Sequence, residues 1–363
     1  MHLVYAIDQL GAGGAQRQAV ELGQRLAREP GVRVSLLSYA GSNFYRARLQ
    51  GSPVEVLRLP RRGRYDLAFA LRLKNWLLDQ KADLVHSFLL GPIFWNTLAQ
   101  ALMSADRRPV HVAAERDTLD DRPALERRIK ALLYPRAAAV TANSQLAAEQ
   151  IRSRMRIDHV RYLPNGIDTA AWSSMAQGDC ALPVEAGHFN VAVIGRITAQ
   201  KNQRAVVQAV RELPATDRRW RVWLIGDDHL QPKLAAELRN EIRSAGLDEV
   251  QLLPPQPNIA PLIARMDAVL VPSLHEGFPN VALEAMALGV PVIASAVGEL
   301  PHMLENGVSG LILDDVRPQT IARALVQLAG EPPERRRAMA ERARARVQTH
   351  YSLDVVAQQH LAF

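Results

Sequence analysis

Apolar and polar positions along this chain fall into two rhythms that take turns. Short runs such as Leu3-Val4-Tyr5-Ala6-Ile7, Val191-Ala192-Val193-Ile194 and Ala268-Val269-Leu270-Val271 are apolar throughout, which is the pattern of strands buried on both faces. Between them lie longer stretches whose apolar residues recur every three or four positions, the pattern of amphipathic helices. This predicts strands at 3–8, 32–38, 54–59, 83–88, 110–114, 138–142 and 160–163, then at 189–194, 221–225, 250–253, 268–271, 291–294 and 311–313. Helices are predicted at 14–28, 66–79, 92–103, 123–134 and 144–154, then at 202–212, 231–244, 259–265, 280–288, 318–329 and 333–348. A last helix over 352–363 opens at Ser352, a good capping residue. Such alternation predicts an α/β protein with two doubly wound, Rossmann-like parallel-sheet domains. The irregular stretch 165–188, with Gly166, Gly178, Pro183 and Gly187, reads as the linker. The expected domains are 1–170, with 352–363 packing back on it, and 171–351.

Composition narrows this picture without redirecting it. A chain of 363 residues, 48% hydrophobic and 22% charged, is comfortable as two globular domains. Cys180 is the only cysteine, so no internal disulfide or cysteine metal cluster is expected, in keeping with a reducing compartment. The start, Met1-His2-Leu3-Val4-Tyr5, reads as a strand rather than a signal peptide. With no apolar run of membrane-spanning length, a cytoplasmic location is expected. The net charge of +7 is uneven: residues 1–172 hold 25 Lys+Arg against 16 Asp+Glu, the remainder 19 against 21. Arg58, Arg61, Arg62 and Arg64 form one cluster, and Arg122, Arg127, Arg128 and Lys130 another. They read either as solvated surface or as contacts to an anionic lipid surface at the inner face of the plasma membrane, worth about 1 kcal/mol per basic residue. No helix-turn-helix, zinc finger or stacking pattern supports nucleic acid as a partner.

The chemistry concentrates where strands end. Ser273 to Met286 reads S-L-H-E-G-F-P-N-V-A-L-E-A-M, a tight Gly277-Phe278-Pro279-Asn280 turn between Glu276 and Glu284. Pro279 suits a first helical position, and the helix is expected to stop at Gly289. A helix start binds anions. Two flanking carboxylates accept hydroxyls, so a ligand with both phosphates and hydroxyls fits, as a nucleotide sugar has. Upstream, Asn190 to Asn202 reads as a strand ending at Gly195, followed by Arg196 and Lys201. A guanidinium fork and a mobile ammonium suit a diphosphate. Ile7 to Ala15 is a strand, a glycine turn with Gly11, Gly13 and Gly14, then a helix, without dinucleotide G-x-G-x-x-G spacing. Leu224-Ile225-Gly226-Asp227-Asp228 is another strand exit, read as structural.

These motifs together resemble the retaining glycosyltransferases of family 4, also called glycosyl transferases group 1, which have the GT-B fold. The likeness rests on Gly13-Gly14, Gly195-Arg196, Lys201-Asn202, Glu276-Gly277-Phe278-Pro279, Glu284-Ala285, Asn165-Gly166-Ile167-Asp168 and the Gly307–Leu313 stretch. It implies two Rossmann-like domains facing across a cleft, acceptor side first and donor side second. The donor implied is a UDP-sugar or GDP-sugar, transferred to a lipid-linked or oligosaccharide acceptor in bacterial surface-polysaccharide or lipopolysaccharide assembly. Arg196 and Lys201 would hold the diphosphate, Glu284 the ribose and Glu276 the transferred sugar. Backbone amides of Phe278, Asn280 and Val281 would line phosphate and sugar, and Gly14 would let the first domain's loop approach the diphosphate. No metal or other cofactor is expected, since no Asp-x-Asp triple is present and Glu115-Arg116-Asp117 is the nearest approach.

Three departures stand out. Relatives often carry a donor-contacting histidine where this chain has Glu115-Arg116-Asp117, so those three residues are assigned to the acceptor or sugar side. Gly298-Glu299 and His302 differ from the Gly-Gly and Glu often found there, near the expected sugar pocket. His86, ending a strand, is a further candidate for that side, whereas His111 reads as a packed side chain. Two other functions share the motifs: a nucleotide-sugar epimerase of the same architecture and a catalytically silent sugar-nucleotide-binding module.

Overall fold

The computed structural model describes every residue except 12, 42–43, 64–65, 121, 181, 183, 185–186 and 214–218, together with the side chains of 46, 47 and 219. Ala12 of the glycine turn, Arg64 of the basic cluster and Pro183 of the expected linker therefore lie outside the described residues. The chain divides into two compact units, Met1–Gly166 with Leu353–Phe363, and Ile167–Ser352.

The first unit is built on seven parallel strands: β1 (His2–Ile7), β2 (Arg33–Ser38), β3 (Glu55–Arg58), β4 (Leu84–Phe88), β5 (Val110–Glu115), β6 (Ala139–Ala142) and β7 (Val160–Tyr162). Their order is β3-β2-β1-β4-β5-β6-β7. The chain thus runs outward from β1, returns, and continues from β4 on the other side. Central β1 is buried along its whole length, which is why its sequence is continuously apolar, while edge β3 is largely exposed. The second unit repeats the plan with β8 (His188–Ile194), β9 (Arg219–Ile225), β10 (Val250–Leu253), β11 (Ala268–Val271), β12 (Val292–Ser295) and β13 (Leu311–Leu313), ordered β10-β9-β8-β11-β12-β13. In each sheet the reversal falls between two central strands, β1/β4 and β8/β11. Open α/β sheets bind ligands beyond the carboxyl ends of such strands.

The expected strands and helices are present, with ends displaced by at most two residues. Among the described residues, three short α-helices were not anticipated: Arg46–Leu49, Thr169–Met175 and Leu300–Met303. The second of these corrects the reading of 165–188 as irregular. The Asp168 carboxylate accepts from the Ala171 amide at 2.9 Å and caps the helix start, and Trp172 is buried. Just before it, Gln18 brackets Gly166, donating to its carbonyl and accepting from its amide, both at 2.8 Å. A Cβ on Gly166 would lie 3.1 Å from the Leu353 Cα. The Leu353–Ala362 helix belongs to the first unit, where Leu353, Val356 and Ala357 share a core with Ala19, Leu22 and Leu26. Among the described residues no helix is long and apolar enough to cross a membrane.

Candidate functional site

In the second unit the basic turn and the glutamate loop come together at the carboxyl ends of β8 and β11. The exit of β8 is pinned by Gly226: a Cβ there would lie 1.8 Å from the Gly195 carbonyl oxygen. That close approach, with Ile197 donating to the Asp227 carbonyl at 2.8 Å, gives the Leu224–Asp228 segment the structural role expected of it. Arg196 follows with its side chain exposed, its own carbonyl held by the Gln203 amide at 2.9 Å. The next turn docks on the glutamate loop through Leu274 donating to the Gln200 carbonyl at 2.8 Å and Gln200 donating to the His275 carbonyl at 2.9 Å. Lys201 is thereby carried onto Glu276, and its Nζ donates to Oε1. The same oxygen accepts from the Ser273 hydroxyl at 2.7 Å.

The Glu276-Gly277 backbone has a backstop that the sequence reading missed. Gly298 adopts φ +57°, and a Cβ there would lie 2.3 Å from the Glu276 carbonyl oxygen and 2.6 Å from that of Gly277. The Glu299 amide donates to the Gly277 carbonyl at 3.1 Å, and the Ser295 hydroxyl donates to the Ser273 carbonyl at 2.7 Å. Gly298 was noted only as a departure in sequence, yet glycine there is required by both φ and space. The helix Asn280–Leu288 follows and ends on left-handed Gly289, as expected. Pro279 is corrected by one position: it is the extended capping residue (φ −80°, ψ 95°), and Asn280 is the first helical residue. Glu284 is buried and has a partner within the protein. Phe278 is buried, with Tyr351 edge-on at 5.8 Å, and Val281 lies in the first turn.

The first unit treats its candidates differently. Gly13 caps the helix that begins at Gly14, and its carbonyl accepts from the Arg17 amide at 3.0 Å. His86 is buried within β4, its Nε2 2.9 Å from the Thr141 hydroxyl, and burial holds its pKa well below the ordinary imidazole value. His111 is packed as expected, with Nε2 3.0 Å from the Ser87 hydroxyl.

Glu115 is fully engaged within the fold. Its Oε2 accepts from Lys130 Nζ at 2.7 Å and from the Tyr134 hydroxyl at 2.8 Å, and its Oε1 accepts from the Arg116 and Asp117 amides. Asp117 pairs with Arg122 at 2.6 Å. Arg116 donates from Nη2 to the Asn165 side chain at 2.5 Å and lies over the Phe88 ring. Two of the four basic residues in the second cluster, Arg122 and Lys130, are thus taken up by internal carboxylates. Elsewhere, Asp227, Asp228 and His229 are the metal-ligand types that gather among the described residues, and Asp228 there pairs with Arg239 at 2.8 Å.

Comparison with known proteins adds family-level likeness over both units. Residues 12–171 match the family model described as Glycosyltransferase Family 4, and residues 183–346 that described as Glycosyl transferases group 1. The chain is 32% identical over 273 residues to a D-inositol 3-phosphate glycosyltransferase of Actinosynnema mirum, covering 69% of this chain and 64% of that protein. It is 30% identical to one from an Arthrobacter species, covering 55% and 49%. The chain therefore spans between about half and two thirds of these relatives' length in the matched regions. The fold is that of the Anabaena protein HepE in complex with UDP, with a TM-score of 0.86 at 21% identity over 100% of this chain and 99% of that one.

Proposed function

Because the chain belongs to glycosyltransferase family 4, with the group 1 pattern in its second half, we propose that it moves a sugar from a nucleotide-diphosphate sugar to a lipid-linked or glycan acceptor. The observation that carries this reading is the Lys201–Glu276 contact at the β8/β11 reversal, beside exposed Arg196. An ammonium and a carboxylate that satisfy each other in the free protein can exchange partners when the donor arrives. Lys201 and Arg196 then take the diphosphate, Glu276 accepts from hydroxyls of the transferred sugar, and Glu284 from the ribose. Catalysis rests on orientation and on stabilising charge as it builds on the leaving diphosphate. The reaction retains configuration, with the departing phosphate taking the acceptor proton, and needs no metal in this reading. Relatives named D-inositol 3-phosphate glycosyltransferase and a structural neighbour holding UDP support this substrate class.

In this reading the enzyme works in bacterial surface-polysaccharide or lipopolysaccharide assembly, peripheral at the inner face of the membrane. The helix Ala124–Leu133 favours that position, since Leu125 and Leu132 are exposed beside Arg128. Thermal-shift titration with UDP-, GDP- and ADP-sugars tests the donor assignment, because a ligand that binds only the folded state raises its stability. One nucleotide class should stabilise the protein selectively and yield a glycosylated product. Binding without turnover over a broad acceptor panel would instead indicate a silent binding module, and interconversion of nucleotide sugars an epimerase.

A further inference from the structure

The turn from Arg196 to Lys201 is held by neutral side-chain amides. Gln203, only 1% exposed, donates to the Arg196 carbonyl at 2.9 Å. Asn202 donates to the Val316 carbonyl at 3.2 Å, and Gln200 to the His275 carbonyl at 2.9 Å. The Gln231 oxygen accepts from the Ala199 amide at 3.0 Å. These bonds satisfy backbone groups that lie outside the strand and helix ladders.

Two features tie this scaffold to the cations it carries. Asn202 is left-handed, at φ 55° and ψ 31°, between Lys201 and the helix Gln203–Val210. Asparagine tolerates that conformation, whereas alanine is strained in it. The Lys201 stem then runs along Gly195, where a Cβ would stand 3.3 Å from Cε. Gln203, for its part, has an Oε1 that is shielded from water and without a hydrogen-bond partner among the described residues. A buried amide with half its capacity unused contributes little to stability. Its one bond goes to the carbonyl of Arg196, whose side chain is exposed at the β8 exit.

Neutral holders also suit the electrostatics. A carboxylate in place of Gln203 or Asn202 would offset the charge of Arg196 or Lys201 before an anion reached them. An amide fixes the backbone and leaves both charges for the ligand.

We propose that Gln203 and Asn202 are positioning residues for the donor diphosphate. Gln203 sets the backbone from which Arg196 projects, and Asn202 sets the direction in which Lys201 leaves the turn. Both act through the cations rather than on the ligand. This rests on the donor reading above and adds to it the neutral groups that hold its cations in place.

UDP, GDP and ADP, titrated by calorimetry against the full-length protein, identify the nucleoside diphosphate that serves as probe. Gln203→Met keeps the volume, removes the bond and should weaken binding of the probe about tenfold. Its melting temperature should fall by no more than about 4 °C, because the unpaired oxygen goes as well. In an Arg196→Ala background the same substitution should change affinity by less than about twofold, since its effect passes through Arg196. Asn202→Ala should weaken the probe about tenfold. Asn202→Gly, which accepts the left-handed turn, should stay within about threefold of wild type. A tenfold loss that persists undiminished in the Arg196→Ala background would overturn the proposal for Gln203 and make it a residue of the fold alone. Wild-type affinity in Gln203→Met would do the same, and equal affinities of Asn202→Ala and Asn202→Gly would overturn it for Asn202. The Asn202 pair decides alone if Gln203→Met does not fold. Failure of all three nucleotides to bind the wild-type protein would instead refute the donor reading, and this proposal with it.

Discussion

The two units place a carboxylate and a cation at the carboxyl edge of a central strand, and bond them in opposite ways. In the second unit Lys201 and Glu276 are joined through one oxygen, with side-chain exposures of 19% and 9%. In the first, Lys130 and Glu115 are each 4% exposed, and every Glu115 oxygen is used at least twice. A pair that has to yield to a ligand must be partly hydrated and incompletely bonded. A pair that holds a fold is buried and saturated. The contrast separates residues of similar chemistry into exchangeable and locked sets.

The largest expected effect is on the locked pair. Glu115→Gln leaves buried Lys130 with the partly exposed Glu126 as its remaining counter-charge and should lower stability by about 3 kcal/mol in urea unfolding. Lys201→Ala should change it by less than about 1 kcal/mol, the usual worth of a partly solvated pair. Equal losses from the two substitutions would erase the distinction.

Acid should act next, through the first unit. Burial pushes the His111 imidazole down to about 4 in the folded protein, below an unfolded value of about 6.5. The unfolded chain therefore binds the proton first as pH falls. Stability from this residue is complete above about pH 6.5 and is lost as pH drops towards 4, with on the order of 2 kcal/mol gone by about pH 5. His111→Asn should flatten the dependence between pH 7 and pH 5, measured as the urea midpoint. An unchanged slope in the variant would remove His111 from the account.

For the exchangeable set the readout is activity rather than stability. If Lys201 meets the leaving diphosphate and Glu284 the ribose, Lys201→Ala and Glu284→Gln should each lower sugar transfer by at least about tenfold. Near-normal transfer in either variant would undo its assignment.

Much of this was legible in the chain because burial dictates composition. β1, β8 and β11 are apolar runs since neighbours cover both their faces, and Gly289 and Gly195 mark real ends of elements. The meeting of Lys201 with Glu276 was expected only through their shared position after strands; the contact depends on Gln200 docking two loops, which no local pattern encodes. Glu115 illustrates the opposite limit. Its sequence position marked it as a site residue, but Lys130 and Tyr134 lie on the following helical segment and take up its charge. Gly298 escaped notice because its role arises from backbone crowding.

The smallest effect probes Glu276 most sharply. Ser273 is buried, and its hydroxyl donates to Glu276 Oε1 while its carbonyl is fixed by Ser295. Ser273→Ala removes one hydrogen bond to a charged group and leaves the backbone anchor in place. Lys201 still holds the carboxylate, so stability should fall by only about 1 kcal/mol. The freed oxygen is then poorly aimed at a sugar hydroxyl, and KM for the donor should rise about fivefold with kcat little changed. A stability loss as large as that of Glu115→Gln, with KM unaltered, would move Glu276 into the locked set. The second unit would then hold its donor through Arg196, Glu284 and the Asn280 helix start alone.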